Sequence, residues 1–304
     1  MSAAAVFSSI AISPFDELVA YEYLYSLDGA TLKSMTQRTV LSNKLPSEVF
    51  SESTGLFQPD SVKTIEEYLE SKKDRFSVAI NNTPTYPNKL KASERPTPLI
   101  YYRGDIGLLE APSVSIVGAR KSSEEGLARA DRLAKELVGN GIVVVSGLAA
   151  GVDTAALQSA IRSKGRVIGV IGTPIDEYYP RENKGLQDAI SCEHLLISQV
   201  PFFKYARQPF KTKRYYFPER NELMAAVSDA TVIVEASDTS GTLTQARACL
   251  AQGRPLFILR SCVENPHLTW PKRLLDKAPQ NVFVLDSAAQ IIERFNNSEL
   301  ACDA

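Results

Sequence analysis

The residues with the clearest chemical potential lie in two short stretches rich in glycine and hydroxyl side chains. The first is Gly118-Ala119-Arg120-Lys121-Ser122-Ser123, and the second is Ser240-Gly241-Thr242. Glycine allows a ligand to approach the backbone closely, and the exposed amides at the start of a helix attract an anion. Arg120 adds a forked guanidinium that suits a phosphate group. Together the two stretches predict a site for phosphate groups.

Ser122 and Glu125 have the spacing of a capping box, so we expect a helix to begin at Ser122. The same serine could serve as a cap without any ligand, and Arg120 could instead form a surface ion pair. The first stretch lacks the G-x-G-x-x-G pattern, and no acidic residue follows at the distance typical of ribose binding. The sequence therefore does not favour a dinucleotide site, and we expect no cofactor.

A second glycine-rich segment, residues 146–153, begins with Ser146-Gly147 and ends with Asp153. Its small residues predict close backbone approach to a ligand at Ser146 and Gly147. Asp153 is interpreted as the N-cap of the following helix, because one carboxylate without a partner is poor evidence for acid–base catalysis. Glu235 is interpreted in the same way, as a carboxylate at a strand end that accepts hydrogen bonds from loop amides. We expect no catalytic residue.

The segment Val200–Pro218 mixes basic and aromatic residues and has no acidic residue between Lys204 and Pro218. Basic groups follow phosphates, and aromatic rings stack on unpaired bases, so this mixture predicts contact with single-stranded nucleic acid. The alternative is a solvated loop whose rings pack on the sheet. The predicted phosphate- and DNA-binding residues of the whole chain are Gly118, Arg120, Lys121, Ser122, Ser146, Gly147, Lys204, Lys211, Arg214, Arg220, Asn221, Ser240, Gly241 and Thr242.

The elements that position these residues alternate between strands and helices from Ser113 onward. Apolar, β-branched runs alternate with amphipathic helical patterns, which predicts an α/β fold with a doubly wound, mostly parallel sheet. Ligands of such sheets bind beyond the carboxyl ends of the strands, where the stretches above lie. The predicted strands are 76–80, 99–102, 113–117, 142–145, 166–171, 195–198, 231–235, 255–259 and 282–285.

Residues 1–75 have helical periodicity and predict a small N-terminal helical domain, followed by the sheet domain over 76–304. Residues 2–13 are mildly apolar but lack a basic start, so we do not expect a signal peptide. The apolar stretches are shorter than the ~20 residues that span a bilayer, which predicts no membrane contact. We expect a cytoplasmic protein.

The composition narrows the function classes further. Among 304 residues, 34 Lys and Arg balance 35 Asp and Glu, so any nucleic-acid surface must be a local patch. The four cysteines form no C-x-x-C pair, which favours reduced thiols over a disulfide framework. With only two histidines, a zinc site or a histidine-based triad has little to build on, so we expect no metal.

Taken together, the motifs resemble the DprA/Smf family of DNA-processing proteins. The resemblance runs from about Tyr86 to Leu259 and rests on the order and spacing of several short motifs. They are Tyr86-Pro87, Pro98-Leu99-Ile100-Tyr101, Ser115-Ile116-Val117-Gly118-Ala119-Arg120, Val145-Ser146-Gly147-Leu148-Ala149, Phe217-Pro218-Glu219-Arg220-Asn221 and Ser240-Gly241-Thr242-Leu243-Thr244. The resemblance implies an extended Rossmann-like fold that binds single-stranded DNA, forms a homodimer and helps load a RecA-type recombinase. It does not imply cleavage or ligation of DNA.

Three positions depart from the family pattern. Ala150 replaces an arginine, Leu157 a histidine and Glu222 an arginine. The losses could weaken DNA binding or reshape the pocket for a smaller anion. Many family members carry a C-terminal winged helix, and the short segment after the last predicted strand leads us to expect none. The N-terminal helices take the place of the family's sterile-alpha-motif-like domain without a detailed match.

The fold also resembles the wider group that contains the LOG-type phosphoribohydrolases. Those enzymes place a catalytic glutamate at a helix start, where this chain has Thr244. A threonine cannot stabilise a developing oxocarbenium charge as a carboxylate does, which argues against that hydrolysis. A small-nucleotide sensor or hydrolase stays the alternative to DNA binding. A further alternative is a scaffold whose N-terminal helices bind a partner.

Overall fold

The computed structural model describes residues 12–53 and 59–302, with side chains described through residue 296. Most of the apolar segment 2–13, in which we expect no signal peptide, lies outside the described residues. Within the described part of the chain, no helix is long and apolar enough to cross a membrane.

A nine-stranded sheet forms the centre of the fold, in the order β1-β2-β6-β5-β4-β3-β7-β8-β9. β2 runs antiparallel to both of its neighbours, and all other pairs are parallel. This confirms the predicted α/β class and the mostly parallel sheet. The strands are β1 Ser77–Ile80, β2 Leu99–Gly104, β3 Ser113–Gly118, β4 Val143–Ser146, β5 Val167–Ile171, β6 Leu195–Ser198, β7 Ala230–Glu235, β8 Leu256–Leu259 and β9 Val282–Leu285.

Helices cover the faces of this sheet, and an N-terminal group of four helices precedes it. The helices are α1 Pro14–Ser26, α2 Leu32–Arg38, α3 Pro46–Glu52, α4 Pro59–Glu70, α5 Asn88–Lys91, α6 Glu124–Val138, α7 Val152–Arg162, α8 Lys184–Glu193, α9 Phe202–Arg207, α10 Phe210–Lys213, α11 Tyr216–Val227, α12 Thr242–Ala251, α13 Arg260–Val263, α14 Trp270–Lys277 and α15 Ala289–Cys302. Strands β3 to β6 are almost fully buried, because helices on both faces exclude water from their Val and Ile side chains.

The strand order reverses at β3. From β3 the chain builds β4, β5 and β6 on one side and then returns to place β7 on the other side. Such a reversal leaves a crevice beyond the carboxyl ends of the two strands, where doubly wound sheets bind their ligands. The register between β3 and β7 also shifts at Val117 and Gly118. The ends of β3 and β7 therefore border the crevice where a ligand is expected.

The N-terminal helices share one continuous apolar core with the sheet, across the predicted boundary at residue 75. Buried Glu22 of α1 links the two parts, because it accepts hydrogen bonds from the Tyr101 hydroxyl at 2.6 Å and from the Phe202 and Phe203 amides at 2.8 and 3.0 Å. These contacts fix α9 against α1.

The segment 200–218, interpreted above as a loop, is mostly helical. It forms α9, α10 and the start of α11, which begins at Tyr216. Pro201 and Pro209 are the N-cap residues of α9 and α10, where the missing amide of proline costs no helical hydrogen bond. The aromatic residues of the segment, at consecutive or near-consecutive positions, hid this helical periodicity in the sequence.

Candidate nucleic-acid interface

A cleft of about 830 Å³ lies at the reversal point, beyond the ends of β3 and β7. Gly118 and Gly241 both line it, so the two glycine-containing stretches lie on the same side of the molecule. Arg120 also lines the cleft, and its side chain is exposed to solvent. Of the residues predicted from the sequence, the cleft brings together Gly118, Arg120, Lys121, Arg220, Asn221, Ser240, Gly241 and Thr242.

The N-terminus of α6 is occupied by a carboxylate of the protein itself. Glu235, at the end of β7, accepts hydrogen bonds from the Ser122 hydroxyl at 3.0 Å, the Ser123 hydroxyl at 2.7 Å and the Ser123 amide at 3.2 Å. The negative charge lies where the helix dipole favours it. Glu235 thus accepts a hydrogen bond from a loop amide, as proposed from the sequence, and its carboxylate lies at the terminus where an anion was expected to bind.

The cap of α6 also differs from the prediction by one residue. Ser123, not Ser122, is the N-cap, and its hydroxyl accepts from the Gly126 amide at 3.0 Å. Ser122 instead donates to Glu235 and does not line the cleft. A Cβ on Gly126 would lie 2.0 Å from a carboxylate oxygen of Glu235, so a larger residue there would displace that carboxylate.

The second helix terminus is tied to the end of β3. Thr242 donates its hydroxyl to the Gly118 carbonyl at 3.1 Å, and the Ser240 hydroxyl accepts from the Thr242 amide at 3.2 Å. Gly241 is exposed, and a Cβ there would meet no atom within 4 Å. The loop before α12 is therefore held in place by side-chain hydrogen bonds and leaves its Gly241 backbone open to the cleft.

Arg220 lies at the floor of the cleft and is only 7% exposed. Its guanidinium donates to the Gly147 carbonyl at 2.6 Å and the Val170 carbonyl at 2.8 Å, and its Nε donates to the Asn221 side-chain oxygen at 3.0 Å. Among the described residues no carboxylate lies within ion-pair distance of it. The predicted groove residue is thus a buried cation whose partners are neutral carbonyls.

Gly147 connects this arginine with Asp153. Its amide donates to Asp153 at 3.1 Å, while its carbonyl accepts from Arg220. Burial raises the pKa of Asp153, and the charge of Arg220 opposes that rise. Burial likewise lowers the pKa of Arg220, with the Asp153 charge acting in the other direction. The two charges therefore stabilise each other through the Gly147 peptide rather than by direct contact.

The prediction that Ser146 and Gly147 offer their backbone to a ligand is corrected by these contacts. Both residues are buried and neither lines the cleft. Ser146 donates its hydroxyl to the Ile116 carbonyl at 2.7 Å, which joins β4 to β3. A Cβ on Gly147 would lie 2.1 Å from Nη1 of Arg220, so this glycine makes room for a side chain rather than for a ligand.

Two further features of the cleft bear on its charge. The Arg120 guanidinium lies 5.9 Å from the centre of the Phe217 ring, and that of Arg220 lies 6.0 Å from it. Arg129 of α6 also lines the cleft and was missed in the sequence. Four cationic side chains (Arg120, Lys121, Arg129, Arg220) therefore face two carboxylates (Asp153, Glu235).

The other predicted basic residues lie outside the cleft lining. Lys204 donates to the Ala30 carbonyl between α1 and α2, and its ammonium lies 5.2 Å from the Tyr25 ring. Lys211 and Arg214 are exposed on α10 and immediately after it. The cleft and this surface are joined through α11, since Phe217 of its first turn lines the cleft.

The three departures from the family pattern have different structural outcomes. Ala150 is exposed beside the cleft residue Ala149, so a longer side chain is absent from the rim there. Leu157, on α7, is fully buried in the apolar core of the protein. Glu222 forms an ion pair with Arg95, so the negative charge of Glu222 is balanced by that arginine. Within the described ranges, no group of three or more potential ligand residues could hold a metal ion.

Comparison with known proteins places this geometry in a family. The model for "DNA recombination-mediator protein A" matches residues 77–296. The chain belongs to the DNA recombination-mediator protein A family. The DNA processing protein DprA of Bacillus subtilis is 30% identical over 273 residues, which cover 88% of this chain and 85% of that protein. DprA of Streptococcus pneumoniae is 37% identical over 161 residues, 53% of this chain and 55% of that protein.

Two solved structures of this family have the same fold. The crystal structure of DprA from Streptococcus pneumoniae has a TM-score of 0.66 at 26% identity and covers 93% of both chains. The Helicobacter pylori DprA structure has a TM-score of 0.61 at 28% identity and covers 74% of this chain and 97% of that one. The latter was described for its single-stranded DNA binding mode. These matches confirm the resemblance to the DprA/Smf family.

Proposed function

We propose that this protein binds single-stranded DNA in the cleft between β3 and β7. The observation that carries the proposal is the excess of positive charge there, with one of the two carboxylates, Glu235, already bonded to α6. Arg220 supplies a fixed positive charge at the floor, since its hydrogen bonds go to neutral carbonyls. The Helicobacter pylori relative, a single-stranded DNA binder, supports the choice of ligand.

Glu235 also determines how phosphates are held in this proposal. Because its carboxylate accepts from the Ser123 amide at the start of α6, the phosphates contact side chains at the rim in this proposal, namely Arg120, Lys121 and Arg129. The open backbone at Gly241 adds a contact on the other wall. A small nucleotide would depend most on a helix terminus for its phosphate. Glu235 caps one of the two helix termini at the cleft, and Thr244 stands where a catalytic carboxylate would be needed, so both observations disfavour the small-nucleotide sensor or hydrolase.

The test is a fluorescence-anisotropy titration with oligo-dT at several salt concentrations. With about four phosphate contacts and a slope of ~0.7 per contact, affinity falls roughly 50-fold between 50 and 200 mM salt. Arg120→Ala should lower the slope by ~0.7. Arg132→Ala is the control, because this exposed arginine lies on the same helix but outside the cleft. An affinity independent of salt would refute the proposal.

A thermal-shift comparison separates the two ligand classes. We expect stabilisation by oligonucleotides and none by mononucleotides, and the opposite result would replace DNA binding with small-nucleotide binding.

We further propose, from family membership, that the protein acts in the cytoplasm as a homodimer and helps load a RecA-type recombinase on single-stranded DNA. Sedimentation analysis tests the homodimer, and assembly of recombinase filaments on oligo-dT, with and without this protein, tests the loading role.

A further inference from the structure

Of the seven aromatic residues of segment 200–218, Phe217 lines the cleft, and the other six divide into two groups in the structure. Phe202, Phe203, Tyr205 and Tyr216 are buried and pack against the N-terminal helices or one another. Phe210 and Tyr215, in contrast, are 85% and 61% exposed. The core therefore accounts for the first group, and the second group has no packing role that would explain two large rings in water.

Basic residues are next to both exposed rings in the sequence, since Lys211 follows Phe210 and Arg214 precedes Tyr215. Lys211 and Arg214 are exposed, and the Arg214 guanidinium lies 5.3 Å from the centre of the Tyr215 ring. Lys213 lies over the buried Tyr205 at 4.0 Å. Among the residues that the structure describes, none of these three cations has an ion-pair partner. The local charge is thus uncompensated and positive.

Exposed rings beside free cations match the chemistry of an unpaired polynucleotide. Every base has a flat face that stacks on an aromatic ring, and the cations bind the phosphates that alternate with the bases. A base pair inside a duplex offers no free face to such rings. The surface is also continuous with the cleft, since Phe217, two residues after Tyr215 on α11, lines the cleft.

We propose that Phe210 and Tyr215 are base-stacking positions that extend the DNA-binding cleft over α10. This inference rests on the proposed function and adds a site outside the cleft lining. The rings bind bases, while Lys211 and Arg214 hold the phosphates beside them. The strand therefore passes from the cleft at Phe217 across Tyr215 to Phe210.

The experiment compares two double variants in the full-length chain. Phe210→Ala/Tyr215→Ala removes the rings, and Lys211→Gln/Arg214→Gln removes the adjacent charges. All four side chains are exposed, so neither variant disturbs the core. The control is Leu41→Ala, an apolar residue that is 71% exposed in the N-terminal helices. Phe210→Trp tests rescue, because it keeps a ring at that position.

Loss of stacking should weaken oligo-dT binding by about 5-fold per ring, or roughly 25-fold for both, and leave the salt slope unchanged. The charge variant should lower the slope by ~0.7 for each phosphate that it no longer neutralises. An abasic oligonucleotide of the same length keeps the phosphates and lacks the bases. The wild type should bind it more weakly than oligo-dT by the same factor, and the ring variant should bind both alike.

Three results would overturn the inference. The first is that the ring variant binds oligo-dT within 2-fold of the wild type, although binding by the wild type depends on salt as expected. In that case the proposal for the cleft stands and the proposal for the two rings fails. Another is a shift in oligomeric state of the ring variant on sedimentation, which would assign the rings to a contact between chains. If the wild type fails to bind oligo-dT, both proposals fail.

Discussion

Gly147→Ala should destabilise the protein, and the damage should depend on Arg220. The new Cβ would lie 2.1 Å from Nη1 and 2.6 Å from Cζ of Arg220, much closer than any real contact. The guanidinium stands at the end of a long side chain, but it can move only by giving up its bonds to the Gly147 and Val170 carbonyls. Each charged hydrogen bond contributes ~1.5 kcal/mol or more, and overpacking a core costs ~1–3 kcal/mol.

We therefore expect Gly147→Ala to lower the free energy of unfolding by ~1–3 kcal/mol in the wild-type background. In an Arg220→Ala background the space is free. The φ of Gly147 is not in the left-handed region, so the substitution should then be neutral or stabilising by ~0.4–1 kcal/mol. The coupling energy between the two positions should exceed ~1 kcal/mol.

Urea unfolding followed by tryptophan fluorescence measures these energies, because the chain has a single tryptophan, Trp270, and it is buried. Gly185→Ala is the matched control, since a Cβ there meets no atom within 4 Å and alanine favours a helix more than glycine by ~1 kcal/mol. Equal effects of Gly147→Ala in both backgrounds would refute the assignment of this glycine to the Arg220 pocket. The displaced guanidinium should also weaken oligo-dT binding.

Two further substitutions test the electrostatics around the cleft. Glu235→Ala should cost ~1–2 kcal/mol in urea unfolding, because it removes the internal anion at the N-terminus of α6. The control is Glu124→Ala, which removes an exposed carboxylate from the first turn of α6 and should cost ~0.5 kcal/mol or less. Equal losses in the two variants would contradict the role of Glu235 as the anion that caps α6. Burial and then the charge of Glu222 raise the pKa of Glu219 from 4.5 to about 7. A raised carboxyl pKa stabilises the fold at low pH, so the wild type should lose stability from pH 4.5 up to about 7, whereas Glu219→Gln should not. Parallel pH profiles of the two proteins in urea would exclude this role for Glu219.

Local patterns predicted the strands well because burial on both faces selects runs of Val and Ile. Residues 113–117 and 195–198, for example, fall within or coincide with β3 and β6. The helices α9 and α10 were not predicted, because segments of six and four residues are too short to show a helical repeat of apolar positions. Arg129 was missed because the other wall of its cleft, at Glu235, is formed more than a hundred residues later in the chain.

Local composition was enough to place the stretches at 118–123 and 240–242 after buried strands of a parallel sheet, and so to expect them at one edge of it. It was not enough to show which of their groups stay available to a ligand. That depended on contacts between distant segments: Glu235 reaches Ser122 and Ser123, and Arg220 reaches the Gly147 carbonyl. A charged group binds whatever partner the fold brings nearest. The tertiary structure was therefore needed to show that one predicted anion site is filled and that one predicted groove arginine forms the floor of the cleft.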